Sequence, residues 1–300
     1  MNHLLRPLIA VLALLLGACA APQTMTETGK VTPRGDLKVA THNFYSANTR
    51  TASALFSGFK DTANALIDEA QSEESIQFDS SVRSLNEGLI AYALEPLGAG
   101  YEVALRYGVY TNLEAGYAYQ SGRHLGELRY QLVGSNLPEE PSSFAASLGL
   151  RYSQQSYRFP TTLALDKLQD LFGFEATRKD LILPITVSHH FGGQKEFASL
   201  AYGLGLSWTQ VSYGFDPSSP FEIVNDGTLD TTKLQAFNET KTVLGYGAFV
   251  NGRLGYEGIF LVASLSLLYQ DYGEFRLLDG DNEQFSGLSL IPTLGIETAF

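Results

Sequence analysis

Leu288-Ser289-Leu290-Ile291-Pro292-Thr293-Leu294-Gly295-Ile296-Glu297-Thr298-Ala299-Phe300 closes the chain, and its alternation decides how the rest is read. Leu288, Leu290, Leu294, Ile296, Thr298 and Phe300 share one face. Ser289, Thr293, Gly295, Glu297 and Ala299 share the other, with Ile291 the one bulky exception. Successive side chains of a β-strand point to opposite faces, so this pattern gives a strand that is apolar outside and small or polar inside. A soluble barrel has the reverse polarity.

Working back from the terminus, the same pattern recurs in stretches of about the 9–11 residues that a tilted membrane strand needs. Leu200, Tyr202, Leu204, Leu206 and Trp208 oppose Ser199, Ala201, Gly203, Gly205, Ser207 and Thr209. Tyr101, Val103, Leu105, Tyr107 and Val109 oppose Glu102, Ala104, Arg106 and Gly108. Residues 113–120, 127–132, 144–153, 181–190, 244–254 and 261–270 alternate likewise, which makes nine strands with the last. An even count is expected of a single-chain barrel, and residues 36–46 supply a weaker tenth; eight strands is the alternative. With that strand first, residues 47–99, 159–180, 215–241 and 278–284 fall at one end as long loops, with the tight Ser121-Gly122. Shorter segments at 111–112, 134–142, 192–196 and 255–258 fall at the other. Within the first long loop, Ala54, Phe56, Phe59, Ala63, Leu66 and Ile67 recur at helical spacing. That predicts a helix in residues 51–71, either capping the barrel or plugging it. Residues 163–174 hold a shorter apolar turn.

The amino terminus reads as an export signal. Arg6 precedes an apolar run at residues 8–16, too short to span a membrane as a helix, and Leu16-Gly17-Ala18-Cys19 follows. Cys19 is the only cysteine, so no intrachain disulfide is possible. Thr, Pro and Gly fill residues 19–35, the composition of a flexible tether to a barrel at 36–300. Leu-Gly-Ala-Cys resembles a bacterial lipobox, which implies a lipoprotein signal peptide over residues 1–18 and lipid attachment at Cys19. Ala20 stands where an inner-membrane retention signal has Asp. The terminal Phe300 resembles the closing residue of Gram-negative outer-membrane β-barrels, where it belongs to the assembly signal. The resemblance implies an all-β, transmembrane, antiparallel up-and-down barrel in the outer membrane. It also implies partners: outer-membrane lipid and lipopolysaccharide, and the barrel-assembly and lipoprotein-sorting machinery.

Chemistry is sparser. The inward faces collect Glu102, Glu114, Glu127 and Glu297 with Arg106, Arg129, Arg151 and Arg253. An Arg on the lipid face at the midplane costs about 2–4 kcal/mol, which forces these residues inside. Two readings of them stand: a paired network that fills the interior, or a polar constriction that passes small solutes. No catalytic set, metal cluster or cofactor motif emerges. His189 and His190 are adjacent, so on a strand they point apart and cannot share a metal. His42 and His124 have no partner legible in sequence. Asp279-Gly280-Asp281-Asn282-Glu283 starts like a calcium loop but lacks the carboxylate at its twelfth position, and reads as a solvated turn. A formal charge of −12 argues against a nucleic-acid partner. The expected function is therefore non-enzymatic: an envelope-structural or surface-interaction protein working through its loops. The alternatives are a narrow pore for small solutes and a barrel-type lipid-modifying enzyme.

Overall fold

A computed structural model describes residues 23–56, 76–78, 80–137, 142–157, 165–192, 196–216, 221–225, 228–230, 236–256 and 258–300. In chain order the strands are β1 (Leu37–Asn48), β2 (Ile76–Phe78), β3 (Gly98–Tyr110), β4 (Leu113–Gln120), β5 (Arg123–Val133), β6 (Phe144–Ser156) and β7 (Glu175–Phe191). They continue as β8 (Ala198–Phe215), β9 (Phe221–Asn225), β10 (Thr228–Asp230), β11 (Phe237–Tyr256), β12 (Ile259–Arg276) and β13 (Asn282–Ala299). Ten of them close into an antiparallel barrel ordered β1-β13-β12-β11-β8-β7-β6-β5-β4-β3, so the count is ten rather than eight. Closure is made by β1, which pairs with β13 on one side and β3 on the other. Phe300 finishes the seam: its N–H donates to the Leu37 carbonyl at 2.8 Å and its carbonyl accepts from Leu37 N at 3.0 Å. The remaining strands form a small sheet, β10-β9-β2, in the long loops.

Three helices are described: α1 (Thr49–Phe56), α2 (Ser80–Leu94) and α3 (Leu165–Phe172). The helix expected in residues 51–71 appears at its start as α1; residues 57–71 lie outside the described residues. Helix α2 was not expected from the sequence, although Val82, Leu85 and Leu89 supply the i, i+3, i+7 spacing of a buried face.

The strand faces settle what solvent this barrel occupies. Leu204, Leu244 and Leu261 on the outside are each more than half exposed, among a belt of outward Leu, Tyr, Val and Ile. Inside, Ser207, Thr209, Thr293 and Glu297 are buried. No water-soluble protein maintains a contiguous apolar surface of this extent. The chain is a transmembrane β-barrel. Its short turns lie at the end carrying Leu37 and Phe300, its long loops at the other, which makes the first end periplasmic and the second external.

Strands β7, β8, β11, β12 and β13 run 17 to 20 residues, longer than the membrane requires. Their polarity inverts where they leave it. Along β8 the outward face passes from Leu206 and Trp208 to Gln210 and Ser212. The inward face passes from Ser207 and Thr209 to Val211, Tyr213 and Phe215. Above the membrane the barrel is thus built like a soluble domain, with Val82, Leu85 and Leu89 of α2 packed on Phe172, Phe174, Tyr213, Tyr272, Phe275 and Phe285. This apolar core roofs the external end.

Candidate functional site

The lumen is the place where the sequence concentrates buried polar groups, and it is occupied. The flexible tether expected over residues 19–35 is corrected here: from Gln23 onward this segment is an extended strap inside the barrel, with Gln23, Thr24, Met25, Thr26, Glu27, Thr28, Val31 and Thr32 all buried. Wall side chains hydrogen-bond much of its backbone, as buried amides and carbonyls require. Arg151 Nη1 donates to Thr24 O at 2.8 Å, Ser264 Oγ to Met25 O at 2.8 Å, and Asn251 Nδ2 to Glu27 O at 2.7 Å. The strap's own N–H groups donate from Gly29 to Ser188 Oγ at 2.9 Å, from Val31 to Gln131 Oε1 at 3.0 Å and from Thr32 to Glu114 Oε2 at 2.7 Å. The small inward residues thus serve two ends: they leave room, and their polar atoms bind a peptide. At Gly205 an added Cβ would stand 2.6 Å from the Met25 methyl carbon.

The strap also completes the charge network. Glu27 is fully buried, with Oε1 2.8 Å from Arg151 Nη1 and 3.7 Å from Arg106 Nη2. Arg106 reaches Glu127 at 3.4 Å, and Arg129 lies 2.9 Å from Glu114 and 3.5 Å from Glu127. Of the residues singled out in sequence, Arg106, Glu114, Glu127, Arg129 and Arg151 therefore come together around Glu27. Glu102 sits beside them, 3.0 Å from His42 Nδ1 and accepting from Thr24 Oγ1 at 2.9 Å. Arg253 and Glu297 form a second group, 2.5 Å apart, with Lys38 3.7 Å from Glu297. Sequence reasoning gave His42 no partner and missed Glu27, Arg123, Arg178 and Asp180. The last two alternate correctly with Lys179 and Leu181, but sit where β7 continues beyond its apolar stretch. Arg178 Nε lies 2.9 Å from Asp180 Oδ1, and Nη1 donates to Leu94 O, the carboxyl end of α2. This ties the roof to the network, with a cation at the negative end of a helix.

Near the periplasmic end, Ser188 Oγ lies 2.6 Å from His190 Nε2, and His190 Nδ1 lies 3.0 Å from Glu196 Oε1. The order serine, histidine, carboxylate is that of an activated nucleophile. Here Ser188 has no exposed surface and its oxygen accepts the Gly29 N–H, so the seated strap holds the trio closed to a substrate. His189 faces outward, stacked on Tyr202 at 6.0 Å between ring centroids, and His124 is also outward. Asp279 and Asp281 are ligands to Arg83, at 3.2 and 2.7 Å, and Glu283 lies 2.8 Å from Arg50. The cation in that external turn is thus an arginine.

Glu196, in the turn between β7 and β8, titrates outside the membrane. Burial pushes its carboxyl up, and the His190 hydrogen bond with the charges of His190, Arg253 and Lys30 more than reverses this, to about 2. A folded-state value below the unfolded one stabilises the fold above the unfolded value, and that contribution is lost as pH falls through the window from the ordinary value of 4.5 to about 2. Glu196→Gln is expected to flatten the loss of thermal stability between pH 5 and 2, read from the temperature at which gel mobility changes. An unchanged slope would remove Glu196 from the acid response.

Compared with known proteins, the sequence matches no family model and no curated protein. Among solved structures it is similar to the attachment invasion locus protein Ail of Yersinia pestis, at 11% identity over 89% of this chain and 99% of that one, TM-score 0.31. It is similar also to Neisserial surface protein A (10%, 89% and 100%, TM-score 0.32). A third similar structure is the outer membrane protein OprG from Pseudomonas aeruginosa (8%, 91% and 99%, TM-score 0.29). At these values the likeness carries nothing about function.

Proposed function

We propose that this chain is an integral outer-membrane barrel with an envelope-structural or surface-interaction role, non-enzymatic and closed to solutes. One observation carries the reading: the strap is buried among the lumen ion pairs, and α2 packs into the apolar core above it. A selective constriction leaves a water path between its charged walls. Here the charges face each other and the strap. The groups left to meet other molecules are on the external loops, where Arg50, Arg83, Asp279, Asp281 and Glu283 form a partly exposed ionic cluster. Purified full-length protein in planar bilayers is expected to give no conductance. Stable single-channel steps would overturn the closed reading in favour of a narrow pore.

The reading includes lipid modification at Cys19, which lies outside the described residues. Three residues lie between it and Gln23, a reach of at most about 14 Å. Gln23 Nε2 donates to Asp180 at 2.9 Å, in the external half of the barrel. The strap's first described residue thus stands toward the external end of the lumen. Incorporation of labelled palmitate into the wild type and not into Cys19→Ala tests the modification itself. Phe300, 75% exposed at the periplasmic rim, fits a terminal assembly signal. Phe300→Ser is expected to lower folded barrel in the membrane severalfold without affecting export. Normal assembly would contradict that role.

A further inference from the structure

We propose that the outer wall of β4–β7 carries a specific site for lipopolysaccharide, taking one acyl chain in a notch over Gly126 and a phosphate at His124 and Lys179. The notch comes from the register. Gly126 pairs with Tyr117 on one side and Tyr152 on the other, so two outward tyrosines flank a position with no side chain. A Cβ built on Gly126 meets nothing within 4 Å. The depression, about 530 Å³, is lined by Tyr117, Gly126, Tyr152, His124, Gln154 and Ser156. Its lower walls are aromatic and its upper edge is polar, the order in which a membrane lipid presents chain and headgroup.

The upper edge is a continuous row across the strands. His124 pairs with Gln154, Gln154 with Lys179, and Lys179 with Gln210, and all four are exposed. The row immediately below is apolar on β7 and β8, with Leu181 and Trp208, so this level is the hydrocarbon boundary of the external leaflet. Lys179 makes no ion pair among the described residues, in a chain whose formal charge is −12. An unpaired cation held at that boundary calls for an anion from the membrane. The His124 Nδ1 is 2.6 Å from the Tyr117 hydroxyl. With that hydroxyl donating to Nδ1, Nε2 carries the proton and is the ring's second donor. Adjacent strands are about 4.8 Å apart, so His124 and Lys179, two strands apart, bracket a group the size of a phosphate. The tight Ser121-Gly122 turn ends β4 and β5 just above this row, so no long loop between these two strands covers the place of a bulky sugar headgroup. That favours lipopolysaccharide over a phospholipid.

The test uses full-length protein in detergent, titrated with purified bisphosphorylated lipid A and followed by native mass spectrometry, with folding checked by heat-modifiable mobility. Two exposed substitutions separate the parts of the site. Lys179→Ala is expected to weaken lipid A binding about fivefold, the effect of one basic residue at an anionic membrane surface. Gly126→Leu, which fills the notch, is expected to weaken it about tenfold by excluding several methylenes. Phosphatidylglycerol at equal concentration is expected to leave bound lipid A in place. The proposal is overturned if lipid A does not bind, if either folded variant binds it as the wild type does, or if phosphatidylglycerol displaces it equally.

Discussion

Replacing Glu27 with alanine is expected to destabilise the barrel by about 3–5 kcal/mol, the cost of removing one partner from a buried ion pair. The truncation strands a buried charge. Glu27 contributes the carboxylate between Arg151 and Arg106, and all three side chains are buried. Arg106 keeps Glu127 and Glu114 within 4 Å, but among the described residues Arg151 has no other carboxylate that close. Glu27→Gln keeps the shape and removes the charge, so it is expected to fall between the wild type and Glu27→Ala. The shift in the temperature at which folded protein converts to the slow-migrating form reads the effect. A change under about 0.5 kcal/mol for Glu27→Ala, as at an ordinary surface position, would mean that the carboxylate is solvated.

Deleting residues 23–33 is expected to hydrate the lumen without opening it. Ser264 donates to Met25 O and is shielded by it. In a Cys19→Ala background, Ser264→Cys is expected to react with a small water-soluble thiol reagent on the order of 100-fold faster once the strap is deleted. Labelling of a buried site otherwise waits for rare opening. The bilayer current stays silent in the same protein, because α2 and the aromatic core of the external extension still close the far end, held by the Arg178 bond to Leu94 O. Equal labelling with and without the strap would show that the strap does not fill the lumen. Conductance of the deleted protein would show that the roof is not a seal.

The transmembrane part of this fold is written plainly in the sequence. Leu200 through Thr209 alternates without a break because one face meets hydrocarbon and the other a polar interior, and no other environment selects that pattern. What the pattern hides is anything that obeys a different rule. Strand β8 continues to Phe215, but Val211, Tyr213 and Phe215 are inward and apolar, so an outward-apolar template stops at Thr209. Helix α2 is buried within the external domain, and its apolar spacing is diluted by Ala91, Tyr92 and Ala93, which are buried as well. The strap is hidden by composition. Thr, Gly and Pro read as a linker because such residues bury little apolar area, yet hydrogen-bonding capacity is what a polar lumen selects. The lumen charges were legible because an Arg cannot face lipid, while their keystone, Glu27, lies on no strand and carries no periodicity.

The location of the strap decides between a closed barrel and an open one, and a single cysteine reports it. Thr26 is 2% exposed and close in size to cysteine. Thr26→Cys in a Cys19→Ala background, treated with a polyethylene-glycol maleimide before and after heat unfolding, gives a gel shift wherever the thiol is free. The folded protein is expected to resist modification and the unfolded protein to shift completely. Rapid, complete modification of the folded barrel would place residues 23–33 in solvent, as a tether, and contradict the filled lumen.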